Sequence, residues 1–319
     1  MRRGVGLFLL LGISAWPLPG CSRETPQPSA WQSEPPMQVA RSEHPAAVLD
    51  GVVYVFGGLV STAQGTMATA SVEALDLDND TWSAAPDLPS PRHHAMAAAA
   101  AGRVYVMGGF DARGFNPVAT AWSWAPGEEE WTPLPDLPIA IGAASAVVVN
   151  DVIYLVGGVP TGNSLLALAP GTDVFTQLAD ADRQREHLGA AALDGRIWAI
   201  GGRWRSTMRR DVEVYDPATG EWSAGPPMAE ARSGFGATVV DGNIVVGGGE
   251  VFGPDRALAS TEILAGDDWS SFEPLPSPLH GLPLVTIDDR VLALSGSSLA
   301  AGVENTGAVW SIAPQPAMP

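Results

Sequence analysis

Asp194-Gly195-Arg196-Ile197-Trp198-Ala199-Ile200-Gly201-Gly202, followed ten residues later by Val212-Glu213-Val214-Tyr215-Asp216-Pro217-Ala218-Thr219-Gly220-Glu221-Trp222, decides how this chain folds. An Asp-Gly turn signal opens the first stretch and a glycine pair closes it. The run between them is too short for a helix and rich in branched and aromatic side chains, which predicts a strand. The second stretch has the same form: a short apolar run, a Pro-containing turn, then an aromatic residue. One unit therefore reads strand, loop, strand, turn, aromatic.

The unit recurs. Runs at 52–58, 103–109, 152–158, 196–202, 243–249 and 290–296 all end in paired glycines, the last with Ser295-Gly296 in their place. An aromatic residue stands 26 positions before the first member of each pair: Trp31, Trp82, Trp131, Phe175, Trp222 and Trp269 before Gly57, Gly108, Gly157, Gly201, Gly248 and Ser295. Successive repeats are offset by 51, 49, 44, 47 and 47 residues, and all of that variation falls between the glycine pair and the next aromatic. Runs of small residues at 95–101, 142–149, 189–192 and 236–240 precede the glycine-terminated strands and suit a crowded inner position. No segment carries a sustained, capped helical period.

Six concordant copies of this pattern resemble the kelch repeat, whose period is about 50 residues and whose units build the blades of β-propellers. The resemblance implies an all-β chain, a six-bladed kelch-type β-propeller over 30–315. Strands are named a to d from the axis outward: the small-residue run is a, the run ending in Gly-Gly is b, the stretch like 212–216 is c, and the aromatic stretch is d. The aromatic is expected to end strand d and wedge between blades. The sixth repeat lacks its own d strand, so the N-terminal piece around Trp31 is expected to supply it and close the ring.

Ahead of the repeats, Arg2 and Arg3 precede an apolar stretch at 4–16, of signal-peptide length and too short to span a bilayer. Leu18-Pro19-Gly20-Cys21 resembles the lipobox of bacterial lipoproteins. The resemblance implies a signal peptide over 1–20, lipidation of Cys21, a Pro-rich tether over 21–29, and an extracytoplasmic protein anchored to a bacterial membrane. An ordinary secretory signal with a chance cysteine is the alternative. Cys21 is the single cysteine in 319 residues, which excludes an intramolecular disulfide, a redox pair and a multi-cysteine zinc site. The formal charge of −18, with 17 Arg and no Lys, argues against nucleic-acid binding. A hydrophobic fraction of 46% excludes global disorder.

Alternating strand directions put the d–a and b–c loops on one face, where the length variation lies, and that face reads as the working one. Arg41, Arg92, Arg185 and Arg232 stand 16 positions before the glycine pair, and Ile141 and Leu279 take that place in repeats three and six. The kelch pattern commonly carries Arg here, and a structural role in the d–a loop is expected. Two positions on come Glu43, His94, Ala143, His187, Gly234 and Gly281; in ligand-binding kelch propellers, similar positions border the channel mouth. The residues after the glycine pair, among them Arg203 and Glu250, are expected on the same rim. Arg203, Arg205, Arg209 and Arg210 share one loop and mark a local positive spot suited to a carboxylate or phosphate. The candidate ligand-binding set is therefore Glu43, His94, Arg185, His187, Arg203, Arg205 and Glu250, facing a protein, an acidic glycan or a small anion. His93, His94, His187 and Glu43 are ligating types, but they come from different blades and no metal is expected. Asp76-Leu77-Asp78-Asn79-Asp80 lacks the glycine of a calcium loop. The copper chemistry of galactose oxidase needs a Tyr–Cys pair that this chain lacks. No cofactor is expected. The function read from the resemblance is a binding or scaffolding module, with a sugar mutarotase resembling N-acetylneuraminate epimerase as the alternative.

Overall fold

Short branched runs bounded by turns pair into six four-stranded antiparallel sheets, each an a-b-c-d blade. The computed structural model describes Met1 and residues 30–313, apart from Arg113, Asp173 and Pro254. Cys21 and the segments expected to be leader and tether lie outside them. Among the described residues every regular element is a strand. Blade 1 is Ala46–Leu49, Val52–Phe56, Val72–Asp76 and Thr81–Ala85, and blade 4 is Gly189–Leu193, Arg196–Ile200, Val212–Asp216 and Glu221–Gly225. Blade 6 takes Leu284–Ile287, Arg290–Ser297 and Asn305–Ile312 from the C-terminal repeat and its outer strand, Gln32–Glu34, from the N-terminal side. Gln32 pairs with Ser311 and Glu34 with Val309, closing the ring as the repeat count predicts.

The apolar core lies between blades rather than at the axis. Six clusters fill the six interfaces, including the one that joins blade 6 (Leu292, Leu294, Val309) to blade 1 (Val53, Val55, Leu75). Each blade buries both faces against its neighbours, so none is stable alone.

The repeated aromatic opens strand d instead of ending it. Trp82 and Trp222 are second residues of their strands, and Trp31 and Trp131 immediately precede theirs. The c–d turn finishes just before the aromatic, which brings the indole against the preceding blade. Its N–H donates to a backbone carbonyl there: Trp82 to Pro35 (2.8 Å), Trp131 to Pro86 (2.9 Å), Trp222 to Ala179 (2.8 Å), Trp269 to Pro226 (2.8 Å) and Trp31 to Glu273 (3.0 Å).

The glycine pair is required by close approach. A Cβ on Gly57 would lie 2.5 Å from the Arg92 carbonyl oxygen of the next blade, and one on Gly58 2.7 Å from Ser42 O; both glycines have positive φ. The arginines 16 positions earlier are structural, as expected. Arg41 Nη1 donates to Gly57 O (2.7 Å) and Ser71 O (2.9 Å), and Nη2 meets Glu73 at 3.2 Å. Arg232 repeats this on Gly248, Ser260 and Glu262 (2.9 Å), and Arg185 on Gly201, Asp211 and Glu213 (2.5 Å). In blade 2 the acid is replaced by Trp122, whose ring lies 4.8 Å beneath the Arg92 guanidinium.

Candidate functional site

The d–a loops meet at the axis in a closed circle of main-chain hydrogen bonds. The Glu43 N–H donates to Gly281 O (2.7 Å), His94 to Glu43 (2.8 Å), Ala143 to His94 (3.0 Å), His187 to Ala143 (2.9 Å), Gly234 to His187 (2.8 Å) and Gly281 to Gly234 (2.7 Å). All six residues have φ between 52° and 62°, the left-handed region that non-glycine residues seldom occupy. One residue per blade is thus fixed at the mouth of the channel. Glycine suits this backbone; Glu43, His94 and His187 carry side chains there at a conformational cost.

Those side chains join groups from the adjoining rim. Glu43 Oε2 lies 3.2 Å from His94 Nε2, and Glu43 Oε1 3.3 Å from His280 Nδ1. His280 Nδ1 is 3.6 Å from Glu250 Oε2. Glu250 Oε1 accepts from Arg203 Nη1 (2.5 Å), Arg203 Nε donates to Glu186 (2.7 Å), and Glu186 contacts His187 Nδ1. The rings of His187 and His94 are 4.7 Å apart, and His93 and His94 share a contact between their Nδ1 atoms at 2.6 Å. The chain of contacts returns to its start without blade 3, which brings Ala143 to this position. Beneath it lies a cavity of about 180 Å³ walled by inner-strand alanines such as Ala97, Ala146, Ala190 and Ala237.

Burial opposes charge on Glu43, but His94, His280 and His187 outweigh it and hold the carboxyl well below its usual range. His280 moves the opposite way to most buried imidazoles. Burial would lower it, yet Glu43 and Glu250 raise it to about 9. Burial pushes His94 well below the ordinary histidine value, with His187, His93 and Arg203 adding to the effect against Glu43. At neutral pH the Glu43 carboxylate therefore has an imidazolium, His280, on one oxygen and a neutral imidazole, His94, on the other.

Of the residues singled out from the sequence, Glu43, His94, His187, Arg203 and Glu250 converge here. Arg185 does not: its guanidinium is buried in the clamp with Asp211 and Glu213, away from the axis. Arg205 stands exposed, with positive φ, at the tip of the hairpin formed by Arg203–Trp204 and Thr207–Met208. Arg209 binds Gln184 O and faces Asp211, and Arg210 binds Met228 O, so the four arginines of that loop disperse and form no cationic patch. Asp76 accepts from the N–H groups of Asp78 and Asn79, and its carboxylate serves the turn. His280 and Glu186 were missed because they lie one position earlier than the places compared. The residue directly after each clamp position was the signal: Ser42, His93, Glu186, Ser233 and His280 all bridge to the residue after the glycine pair.

Two family descriptions match the chain: the KLHDC2/KLHL20/DRC7 Kelch-repeats domain over residues 21–158 and the Kelch motif over residues 184–229. The chain is 27% identical over 338 residues to the Kelch-like protein terF of Aspergillus terreus, covering 97% of this chain and 72% of that protein. It is 29% identical to mouse Kelch-like protein 35, covering 66% of this chain and 36% of the relative. Human Kelch-like protein 23 is 26% identical over 88% of this chain and 51% of its own length. The chain thus spans between a third and a half of these animal relatives. Among solved structures, one titled "Structure of YjhT" superposes with a TM-score of 0.74 at 17% identity, over 86% of this chain and 95% of that one, a likeness of fold.

Proposed function

This chain is a kelch-repeat β-propeller, and on that premise we propose that it works as a protein-binding scaffold, exported and held at a membrane by lipid on Cys21. The observation that carries the binding role is on the b–c face. Met67 (51% exposed), Phe115 (67%) and Leu299 (53%) project from the b–c loops of blades 1, 2 and 6, three consecutive positions on the ring. Loop 1 touches loop 6 through the Ser61 hydroxyl and Val303 O at 3.5 Å. Exposed apolar side chains gathered on variable loops are what a protein partner covers. The relatives named Kelch-like proteins support the same reading.

The test is capture from envelope extract with a Cys21→Ala form, set beside the same form carrying Met67→Ala, Phe115→Ala and Leu299→Ala. A partner retained by the first and lost by the second is the expected result. A partner held equally by both overturns the assigned face. Fractionation tests the anchor: Cys21→Ala moves the protein from the membrane pellet to the soluble fraction, and a variant that stays in the pellet ends the lipoprotein reading.

An isomerase acting on an acidic sugar has one observation in its favour, the enclosed titratable cluster at the axis. Two observations weigh against it. Arg203, the cation that would hold the substrate's carboxylate or another anion, is already shared between Glu186 and Glu250. The cavity of about 180 Å³ is smaller than the roughly 300–1,000 Å³ of ordinary small-molecule pockets. Proton exchange on sialic acid, followed by NMR, decides between the two readings, and no exchange above the uncatalysed rate is expected.

A further inference from the structure

We propose that Glu43, His94 and His187 form a binding site for one divalent transition-metal ion of the Zn²⁺ or Co²⁺ class, seated at the propeller axis. One ligand atom from each side chain lies within 4.8 Å of the other two. Metal–ligand bonds of about 2.0–2.2 Å place neighbouring ligand atoms roughly 3.3 Å apart in a tetrahedral site. His94 Nε2 and Glu43 Oε2, 3.2 Å apart, already have that spacing. His187 supplies the third atom, within 4.8 Å of these two.

The non-ligating atom of each residue is already held. His94 Nδ1 contacts His93 Nδ1 at 2.6 Å, and His93 is itself anchored through Nε2 on Gly114 O at 2.9 Å, so Nε2 of His94 is the atom left for a ligand. His187 Nδ1 contacts the Glu186 carboxylate, the arrangement that fixes tautomer and orientation in carboxylate–histidine–metal triads. Glu43 Oε1 faces His280, leaving Oε2 toward His94. Arg203 Nη2 stands 3.3 Å from both ring nitrogens of His187 and is the group that an ion bound to His187 displaces.

The circle of main-chain hydrogen bonds fixes all three backbones before any ion arrives. The Glu43 contacts of 3.2 and 3.3 Å are longer than the 2.7–2.9 Å of a charge-assisted hydrogen bond, so this carboxylate has capacity for a stronger partner. Three carboxylates (Glu43, Glu186, Glu250) face two cations, Arg203 and the His280 imidazolium, so the cluster keeps a net negative charge that favours a bound cation. Two imidazoles and a carboxylate suit mid- to late-row divalent metals. A three-residue set leaves coordination positions for water in the cavity beneath, which the same three side chains line.

The test uses the full chain carrying Cys21→Ser, so that no thiol competes, stripped with a chelator and titrated with Co²⁺ and then Zn²⁺. One Co²⁺ per chain, a visible ligand-field band and a raised thermal midpoint are expected. The double variant His94→Asn with His187→Asn keeps residues that tolerate the left-handed backbone and loses all three signals. Glu43→Gln, of the same size, is the second variant and loses at least tenfold in affinity. His93→Ala, which among the three ligands touches His94 alone, weakens binding about 10–100-fold. Absence of a band and of a midpoint shift in the parent overturns the site, as does equal Co²⁺ binding by either ligand variant.

Discussion

Two sets of buried charges hold this propeller, and they differ in how they repeat. The clamps pair an arginine of the d–a loop with an acid of strand c, in the same way in three blades: Arg41–Glu73, Arg185–Glu213 and Arg232–Glu262. The axial set does not repeat in this way: its position carries Glu43, His94, Ala143, His187, Gly234 and Gly281 around the ring. What repeats answers a need common to every blade. Blade 3 meets that need with Ile141 and Leu166, both fully buried, where blades 1, 4 and 5 have Arg and Glu. At the axis the fold asks only for a left-handed backbone, which Ala143, Gly234 and Gly281 supply without a functional side chain. Glu43, His94 and His187 exceed that requirement, and the excess is the mark of a site.

The largest effect should come from breaking a clamp. Arg232→Ala strands the Glu262 carboxylate in the interior, and removal of one partner of a buried ion pair costs about 3–5 kcal/mol. Urea unfolding reads this directly. The comparison is sharpened by transplanting blade 3's solution: Arg232→Ile with Glu262→Leu should recover most of the loss. Burial pulls the Arg41 guanidinium down and pushes the Glu73 carboxyl up despite their contact, so in that clamp desolvation outweighs the pairing. If Arg232→Ala lowers the midpoint no more than His187→Asn, the division between the two sets fails.

The axial set should instead show itself through pH. His280 is raised to about 9 from an ordinary value near 6.5, so the folded protein holds this proton more tightly than the unfolded chain. The resulting stabilisation is fully present below about pH 6.5 and is lost as pH climbs through 9; a rise of that size corresponds to at most about 3 kcal/mol. The gap in urea midpoint between the parent and His280→Gln should therefore narrow from pH 6 to pH 9.5. A guanidinium keeps its charge across that range, so the gap between the parent and Arg232→Ala should stay constant. A His280 gap that does not change with pH would remove the imidazolium from the axis.

Much of the fold was legible because it is repetition: aromatic and glycine pair at one spacing, six times, with Trp31 left over to close the ring. The clamp acids were not legible. Glu73, Glu213 and Glu262 follow their glycine pairs by 16, 12 and 14 residues, since b–c loops of unequal length intervene, and only the sheet register aligns them opposite Val55, Ala199 and Val246. The axial site was half legible. Counting two positions on from the clamp found Glu43, His94 and His187. The arginine run 203–210 suggested a cationic patch because sequence proximity cannot show that Arg203 turns inward to two glutamates while Arg205 turns out to solvent.

The repeated indole allows the finest cut, because one blade already lacks it. Trp222 is half-buried against Tyr215 and donates to Ala179 O of blade 3. Truncating a fully buried Trp costs about 3–5 kcal/mol, so Trp222→Ala, at half the burial, should cost about 2 kcal/mol. Trp222→Phe imposes what blade 3 has in Phe175. It keeps most of the apolar contact and gives up one N–H···O bond between blades, worth about 1 kcal/mol. The difference between the two variants in urea separates the apolar contribution of the wedge from its hydrogen bond. Equal losses would mean that the hydrogen bond to the preceding blade, and not the ring, is what the repeat preserves, and Phe175 would then have no explanation in the packing.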